Sequence, residues 1–150
     1  MSLTNSFNTS SSALTAQRLR MDIISSNIAN AETTRGKLVD GEWVPYQRKV
    51  VVTEAAGQPS FDKVFQSKLS SNLVGNGVKV TQITEDQSPF KRLYQPTHPD
   101  ANKEGFVYMP NVDILKEMVD MISATRSYEA NVTALNASKS MFMKALEIGR

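Results

Sequence analysis

The stretch from Asn111 to Ile148, NVDILKEMVDMISATRSYEANVTALNASKSMFMKALEI, decides the fold. It contains neither glycine nor proline, and apolar residues recur in it at alternating steps of four and three. That repeat is typical of a helix that packs along another helix. About ten turns span roughly 50 Å at about 1.5 Å per residue, so the helix needs a long partner. The seam consists of Ile114, Met118, Met121, Thr125, Tyr128, Val132, Leu135, Lys139, Phe142 and Leu146.

The head of the chain is a second segment without glycine or proline, and it predicts a helix over residues 5–31. The apolar spacings of three, four and seven again indicate a helix seam. We expect the first dozen residues to be disordered in an isolated monomer, since serine hydroxyls compete for backbone hydrogen bonds. This head helix is the natural partner of the tail. Its seam positions are Leu3, Phe7, Leu14, Met21, Ile24 and Ile28, with Leu19 and Ile23 beside them.

Glycine and proline divide the chain into three parts. All six prolines lie between Pro45 and Pro110, and six of the seven glycines lie between Gly36 and Gly105. We therefore predict an α+β protein with an N-terminal axial helix (residues 1–35), a β-rich middle lobe (36–110) and a C-terminal axial helix (111–150). The two helices are expected to pack as a coiled-coil-like pair.

Short strands and turns are predicted for the middle. Asp40-Gly41 between two apolar runs indicates a hairpin over residues 38–44. Further strands are predicted at residues 46–53, 78–83, 90–94 and 105–108, and residues 61–69 read as a short helix or an anchored loop. Asn111 or Asp113 is expected to cap the tail helix.

Composition excludes several classes of protein. The formal net charge is +2 and the basic residues are scattered, which argues against a nucleic-acid partner. The chain has no cysteine, so it has no disulfide framework. No run approaches about 18 apolar residues, so we expect no membrane insertion. The polar N-terminus lacks the pattern of a Sec signal peptide, so export would follow another route.

The chain has few residues of the types that act in catalysis or bind metal ions. His98 lies in the proline-flanked stretch Thr97-His98-Pro99-Asp100, where a general base or ligand is one interpretation and a locally hydrogen-bonded loop residue the more common one. Asp100 to Gly105 matches the first half of a calcium loop, but Asn111 stands where the closing glutamate is needed. We therefore expect no catalytic residue, no metal site and no cofactor, and an enzyme centred on His98 and Asp100 is a weak alternative.

The two ends resemble the signatures of bacterial flagellar rod and hook proteins. The motifs are Ala16-Gln17-Arg18 with the segment from Ser26 to Thr34, and Asn111-Val112-Asp113 followed by residues 117–122 and 126–131. The middle, QSPFKR at residues 87–92 and PTHPDAN at 96–102, is similar to the short proximal rod members. Thr33-Thr34-Arg35-Gly36 departs from the Thr-Pro-Gly-Tyr of distal rod and hook proteins.

The resemblance implies a non-enzymatic structural subunit of the periplasmic proximal rod. Such subunits assemble helically with copies of themselves and with other proximal and distal rod proteins into a drive shaft that transmits torque. They are exported by the flagellar type III apparatus, and their end helices surround the export channel.

Helix faces supply the candidate subunit contacts. Two amphipathic helices at opposite ends of a chain suit an open helical assembly. Asparagines on those faces can fix register between subunits, and the alternative interpretation of Asn27 and Asn30 is a fraying helix end. The candidate interface residues are Leu14, Met21, Ile24, Asn27, Ile28, Asn30, Met118, Met121, Tyr128, Asn131, Val132, Leu135, Phe142 and Leu146. The alternative is a soluble helical-hairpin binding module or an export-related adaptor.

Overall fold

The computed structural model describes residues 3–39, 41–56 and 77–149, with side chains described from residue 5 onward. Two long helices, α1 (Leu3–Ala29) and α2 (Ile114–Ile148), come before and after the strands in the sequence. The strands are β1 (Lys37–Val39), β2 (Glu42–Val44), β3 (Lys49–Ala55), β4 (Val78–Glu85), β5 (Lys91–Tyr94) and β6 (Phe106–Met109). The predicted α+β class is therefore confirmed. The predicted element at residues 61–69 lies outside the described residues.

The described strands form two-stranded sheets, β1–β2, β3–β4 and β5–β6. The first is the predicted hairpin, in which Leu38 pairs with Trp43 and Val39 with Glu42, and Gly41 has a φ of +88°. In the third, Tyr94 pairs with Phe106, and their rings meet edge to face at 5.3 Å. The strand predicted at 46–53 begins later, at Lys49, because residues 45–48 take no part in a ladder.

The head is helical from Leu3, two residues before the predicted start at residue 5, and disorder of the first dozen residues in an isolated monomer remains a prediction. Hydroxyl groups near the start of α1 donate to backbone carbonyls of the same helix, and therefore do not break it. Thr9 Oγ1 donates to the carbonyl of Asn5 at 2.9 Å, and Ser12 Oγ donates to the carbonyl of Thr9 at 2.8 Å. The tail helix begins at Ile114, with Asp113 Oδ1 accepting the Leu115 amide at 3.1 Å, which identifies Asp113 as the N-cap.

Contacts group the chain into two units, each of which draws on the head, the middle and the tail. One unit takes residues 1–18, 52–82 and 125–150, as far as they are described; the other takes 19–51 and 83–124. The predicted division at residues 35 and 110 remains a prediction. In the second unit the buried apolar residues include Ile23, Ile24, Val51, Val107, Val112 and Ala124.

Candidate assembly surfaces

A buried polar cluster joins the three predicted segments within the second unit. Glu117 of α2 is completely buried, and its Oε1 accepts a hydrogen bond from Nε of Arg48 at 2.6 Å. The side chain of Arg48 is 16% exposed. Burying a charge pair costs solvation, which is recovered only when the remaining polar atoms are also bound. The arrangement around Asn27 meets that requirement.

Asn27 is 1% exposed and makes contacts with both atoms of its amide. Its Nδ2 donates to Oε2 of Glu117 at 3.0 Å and to the carbonyl of Lys49 at 2.9 Å. Its Oδ1 accepts from the Lys49 amide and from the Tyr46 hydroxyl, both at 3.0 Å. Asn27 therefore pairs with backbone in the way expected of an asparagine on a packed helix face. The partner in this structure is the chain's own β3.

Asp86 and Asn111 also bind Arg48. Asn111 Oδ1 accepts the Arg48 amide at 2.8 Å, while its Nδ2 donates to the carbonyl of Asp86 at 3.0 Å. Hydrogen bonds from Ser88, with a further contribution from Arg48, lower the pKa of Asp86. Burial opposes the charge of Arg48, but Glu117 and Asp86 outweigh it and raise the pKa of the guanidinium. Arg48 is therefore held as a cation among carboxylates.

His98 and Asp100 form a structural turn. The backbone amide of Asp100 donates to Nδ1 of His98 at 3.1 Å, the local bond expected of a loop residue. The carboxylate of Asp100 accepts from Arg35 Nε and Thr34 Oγ1, each at 2.8 Å. The hydrogen bonds from Arg35 and then from Thr34 lower the pKa of Asp100. These oxygens are occupied by protein donors, which disfavours the calcium interpretation.

The first unit is held by small polar residues. The hydroxyls of Ser6 and Ser138 lie 3.1 Å apart, and Ser138 is buried. Ser12 Oγ accepts the amide of Val78 at 3.1 Å, where β4 begins against α1. A Cβ at Gly77 would collide with Ser12 Oγ, and its φ of +101° also favours glycine. Small side chains thus permit the close approach of helix and strand.

The buried face of α2 differs from the predicted seam by about one position. Glu117, Ala124 and Ser138, which lie off that seam, are the buried residues of the described helix. Met121, Tyr128, Val132 and Leu135 are half-buried, whereas Met118, Phe142 and Leu146 are exposed. The shift follows from the polar partners of Glu117 and from the small side chains of Ala124 and Ser138.

The other candidate interface residues also divide by burial. Ile24 is buried; Leu14, Met21, Ile28 and Asn30 are half-buried. Asn30 and Asn131 donate to carbonyls one turn earlier in their own helices, those of Ser26 and Ser127. Asn30 thus helps to end α1, as the fraying interpretation allowed. Their role between subunits remains a prediction.

The sequence prediction missed an apolar stripe on the outward side of α2. Leu115, Val119 and Ile122 are 76%, 66% and 62% exposed. Their spacing of four and three marks a second seam, one position after that of Ile114, Met118 and Met121. It also missed the exposed Leu38 and Trp43 on the hairpin, 56% and 55% exposed.

The described residues also bear on metal binding and membrane insertion. Among the described residues, no cluster of three or more His, Cys, Asp or Glu side chains is arranged to hold a metal ion. Within the same ranges, no helix combines the length and apolar character needed to span a membrane.

Comparison with known proteins identifies the family. Residues 7–36 match the model described as flagella basal body rod protein, and residues 103–148 match that described as flagellar basal body rod FlgEFG protein C-terminal. The flagellar basal-body rod protein FlgC of Bacillus subtilis is 62% identical, with 100% of both chains covered. FlgC of Borreliella burgdorferi is 47% identical over 99% of this chain and 98% of its own. FlgC of Salmonella typhimurium is 41% identical, with both chains fully covered. The chain belongs to the FlgC family of flagellar basal-body rod proteins.

Proposed function

We propose that this protein is a structural, non-enzymatic subunit of the proximal rod, assembling helically into the flagellar drive shaft. The observation that carries the proposal is that α2 exposes large apolar side chains although another face of it is buried. Its first turns expose Leu115, Val119 and Ile122, and its last turns expose Met141, Met143 and Ile148 at 57%, 53% and 85%. Contiguous apolar side chains on a second face of an amphipathic helix mark a surface that a partner covers.

The exposed apolar residues form contiguous groups. Scattered apolar residues are normal on a protein surface, whereas contiguous patches mark interaction sites. Five apolar residues of the second unit stand on two neighbouring turns of α2, at 42–76% exposure. They are Ile114, Leu115, Met118, Val119 and Ile122. Neighbouring subunits of a rod would cover such a surface, and the relatives are rod proteins by name.

Export and location belong to the same proposal. The chain would leave the cytoplasm through the flagellar type III apparatus, cross as an unfolded chain and assemble in the periplasm, with its helices around the export channel. Loss of this chain from the external fraction of cells lacking the type III apparatus would support the route, and continued secretion would exclude it.

Val119→Asp tests the assembly proposal. Val119 is 66% exposed, so the free energy of unfolding of the monomer should change little. A charge in an apolar interface must be desolvated, so rods and motility should be lost. The matched control is Thr97→Asp, which adds the same charge at an exposed turn. Normal rods with Val119→Asp would contradict the proposal.

The soluble-module alternative makes a different prediction. A closed monomer would keep the same mass and helix content at every protein concentration, and cells without it could still build a rod. No specific contact in the described residues favours this alternative over assembly.

A further inference from the structure

A cleft opens in the second unit where α1, the start of β3 and α2 meet. Its volume is about 130 Å³. At about 30 Å³ for each water molecule, this is the space of roughly four waters, or of one small polar group. The lining consists of Arg20, Ile23 and Ile24 of α1, residues 48–51, and Asp120 and Ser123 of α2. All of these residues belong to the same unit.

Most polar groups in this lining are hydrogen-bond donors. Arg20, Arg48 and Lys49 are cations and Ser123 carries a hydroxyl, whereas Asp120 supplies the one carboxylate among the described lining residues. Arg20 and Lys49 take part in no ion pair in the part of the chain that the structure describes. The cleft therefore presents positive charge that lacks a counter-ion.

Arg48 turns one side of its guanidinium to carboxylates of the chain and leaves another side without an acceptor. Its Nε donates to Glu117 and its Nη1 to Asp86. Its Nη2 makes no hydrogen bond within the described residues, since Oδ2 of Asp120 is 3.7 Å away. The side chain is 16% exposed, and an unbonded donor in such a site costs free energy. An acceptor placed in the cleft would recover that cost.

We propose that the cleft binds the carboxylate of an acidic side chain carried by a neighbouring rod subunit. A carboxylate has two acceptor oxygens in one plane, which is the geometry that guanidinium groups bind most strongly. Ile23, Ile24 and Val51 are buried apolar residues of the lining, and they suit the methylene stem of an acidic side chain. Inorganic phosphate or sulfate has no such stem and would leave these walls uncovered.

The position of the cleft favours a side chain of a subunit over a free solute. Asp120 and Ser123 directly follow Val119 and Ile122 of the exposed stripe, so the cleft borders the surface that the proposed rod assembly covers. A carboxylate attached to the covering subunit arrives at high effective concentration, which a free anion lacks. The inference thus rests on the proposed function and names a polar contact at the edge of the apolar one.

Carbodiimide cross-linking tests the contact directly, because the reagent joins an amine to a carboxylate only when the two meet. Arg20→Lys keeps the positive charge and places a primary amine in the cleft. In basal bodies that contain this variant, we expect an amide link from that amine to an acidic side chain of another chain, identified by mass spectrometry. The isolated monomer should give links within one chain only. Thr97→Lys, at an exposed turn, is the control and should not link to the same acidic side chain.

The outcomes separate this inference from the proposed function. Rods that contain Arg20→Lys but give links within one chain only would overturn the carboxylate site and leave rod assembly standing. Saturable binding of acetate to the natural monomer, in rods without a link between chains, would identify a free solute as the occupant and would also overturn it. Absence of the natural chain from rods would overturn the proposed function itself.

Ser123→Asp provides a second test, because it fills the cleft with a carboxylate of the same chain. The new carboxylate can pair with Arg20 and Arg48, so the urea midpoint of the monomer should be no lower than that of Ser123→Asn, the uncharged control of equal size. Rod assembly, and the link between chains from Arg20→Lys, should be lost with Ser123→Asp and kept with Ser123→Asn. Equal assembly of the two variants, or a lower urea midpoint for Ser123→Asp, would overturn the proposed site.

Discussion

The carboxylate of Glu117 lies 2.6 Å from Nε of Arg48 and is completely excluded from solvent. Between them these residues join α2 to the backbone at the start of β3, and Asn27 adds the end of α1 through its bond to Oε2 of Glu117. The contacts span 69 and 90 residues of sequence. The cluster therefore fixes how head, middle and tail meet within the second unit.

Glu117→Ala tests the importance of this cluster. It leaves Arg48 and Asn27 without their shared acceptor in a buried site, and breaking a buried pair in this way costs about 3–5 kcal/mol. Urea denaturation should show a loss of that size in the free energy of unfolding. Asp120→Asn is the matched control, since Asp120 is 46% exposed and 3.7 Å from Arg48. Exposed pairs contribute about 0–1 kcal/mol, so equal losses for the two variants would contradict the prediction.

Periodicity and glycine placement were sufficient to predict the helices, the hairpin and the four other strands in outline. They could not predict the buried face of α2, because Glu117 and Ser138 look like solvent-facing residues until their partners are known. Those partners, Arg48 for the glutamate and Ser6 for the serine, are distant in sequence. Leu115, Val119 and Ile122 escape the prediction for a different reason, because a single seam predicts only one apolar face of the helix.

Gly36→Ala should be the more damaging of two glycine substitutions at the hairpin. A Cβ on Gly36 would meet the backbone of Tyr46 at 2.6–2.7 Å, where no flexible side chain can move aside. The Gly36 amide also donates to the carbonyl of Val44 at 2.9 Å, so any shift strains the hairpin base. Thermal unfolding should show a clear fall in Tm.

Gly41→Ala is the control for that substitution. Nothing lies within 4 Å of a Cβ at Gly41, so only its φ of +88° opposes alanine. Left-handed backbone costs an L-residue roughly 1–2 kcal/mol. A Tm for Gly36→Ala at or above that of Gly41→Ala would refute the steric argument.

Acid should weaken the turn that holds Asp100. The pKa of Asp100 is lowered by Arg35 and Thr34, so its ionised form is the one that stabilises the fold. A group with a lowered pKa contributes fully above its unfolded value, about 3.9, and the contribution disappears as the pH falls through the folded pKa. The Tm difference between the natural chain and Asp100→Asn should therefore be largest near neutral pH and shrink below about pH 4.

The contribution of Asp86 to stability depends on pH in the same direction, because hydrogen bonds from Ser88 lower its pKa. It should add to the acid sensitivity of the natural chain and of Asp100→Asn alike, so it cancels in their difference. Glu104→Gln, at an exposed turn, is the control and should leave the pH profile of Tm unchanged. A difference between the natural chain and Asp100→Asn that persists undiminished at pH 2 would disprove the role of the carboxylate.

Val132→Asp tests the seam as a surface between subunits. Val132 is half-buried in α2, so aspartate would retain enough water for the exported protein to stay soluble, while a neighbouring subunit would desolvate the charge. We expect loss of rod assembly and motility with the protein still exported. Thr133→Asp is the control, because the next residue is exposed and already polar, and only its bond to the Glu129 carbonyl is lost. Normal motility with Val132→Asp would show that this part of the seam faces only its own chain. Equal loss in both variants would mean that the whole circumference of α2 is covered in the rod.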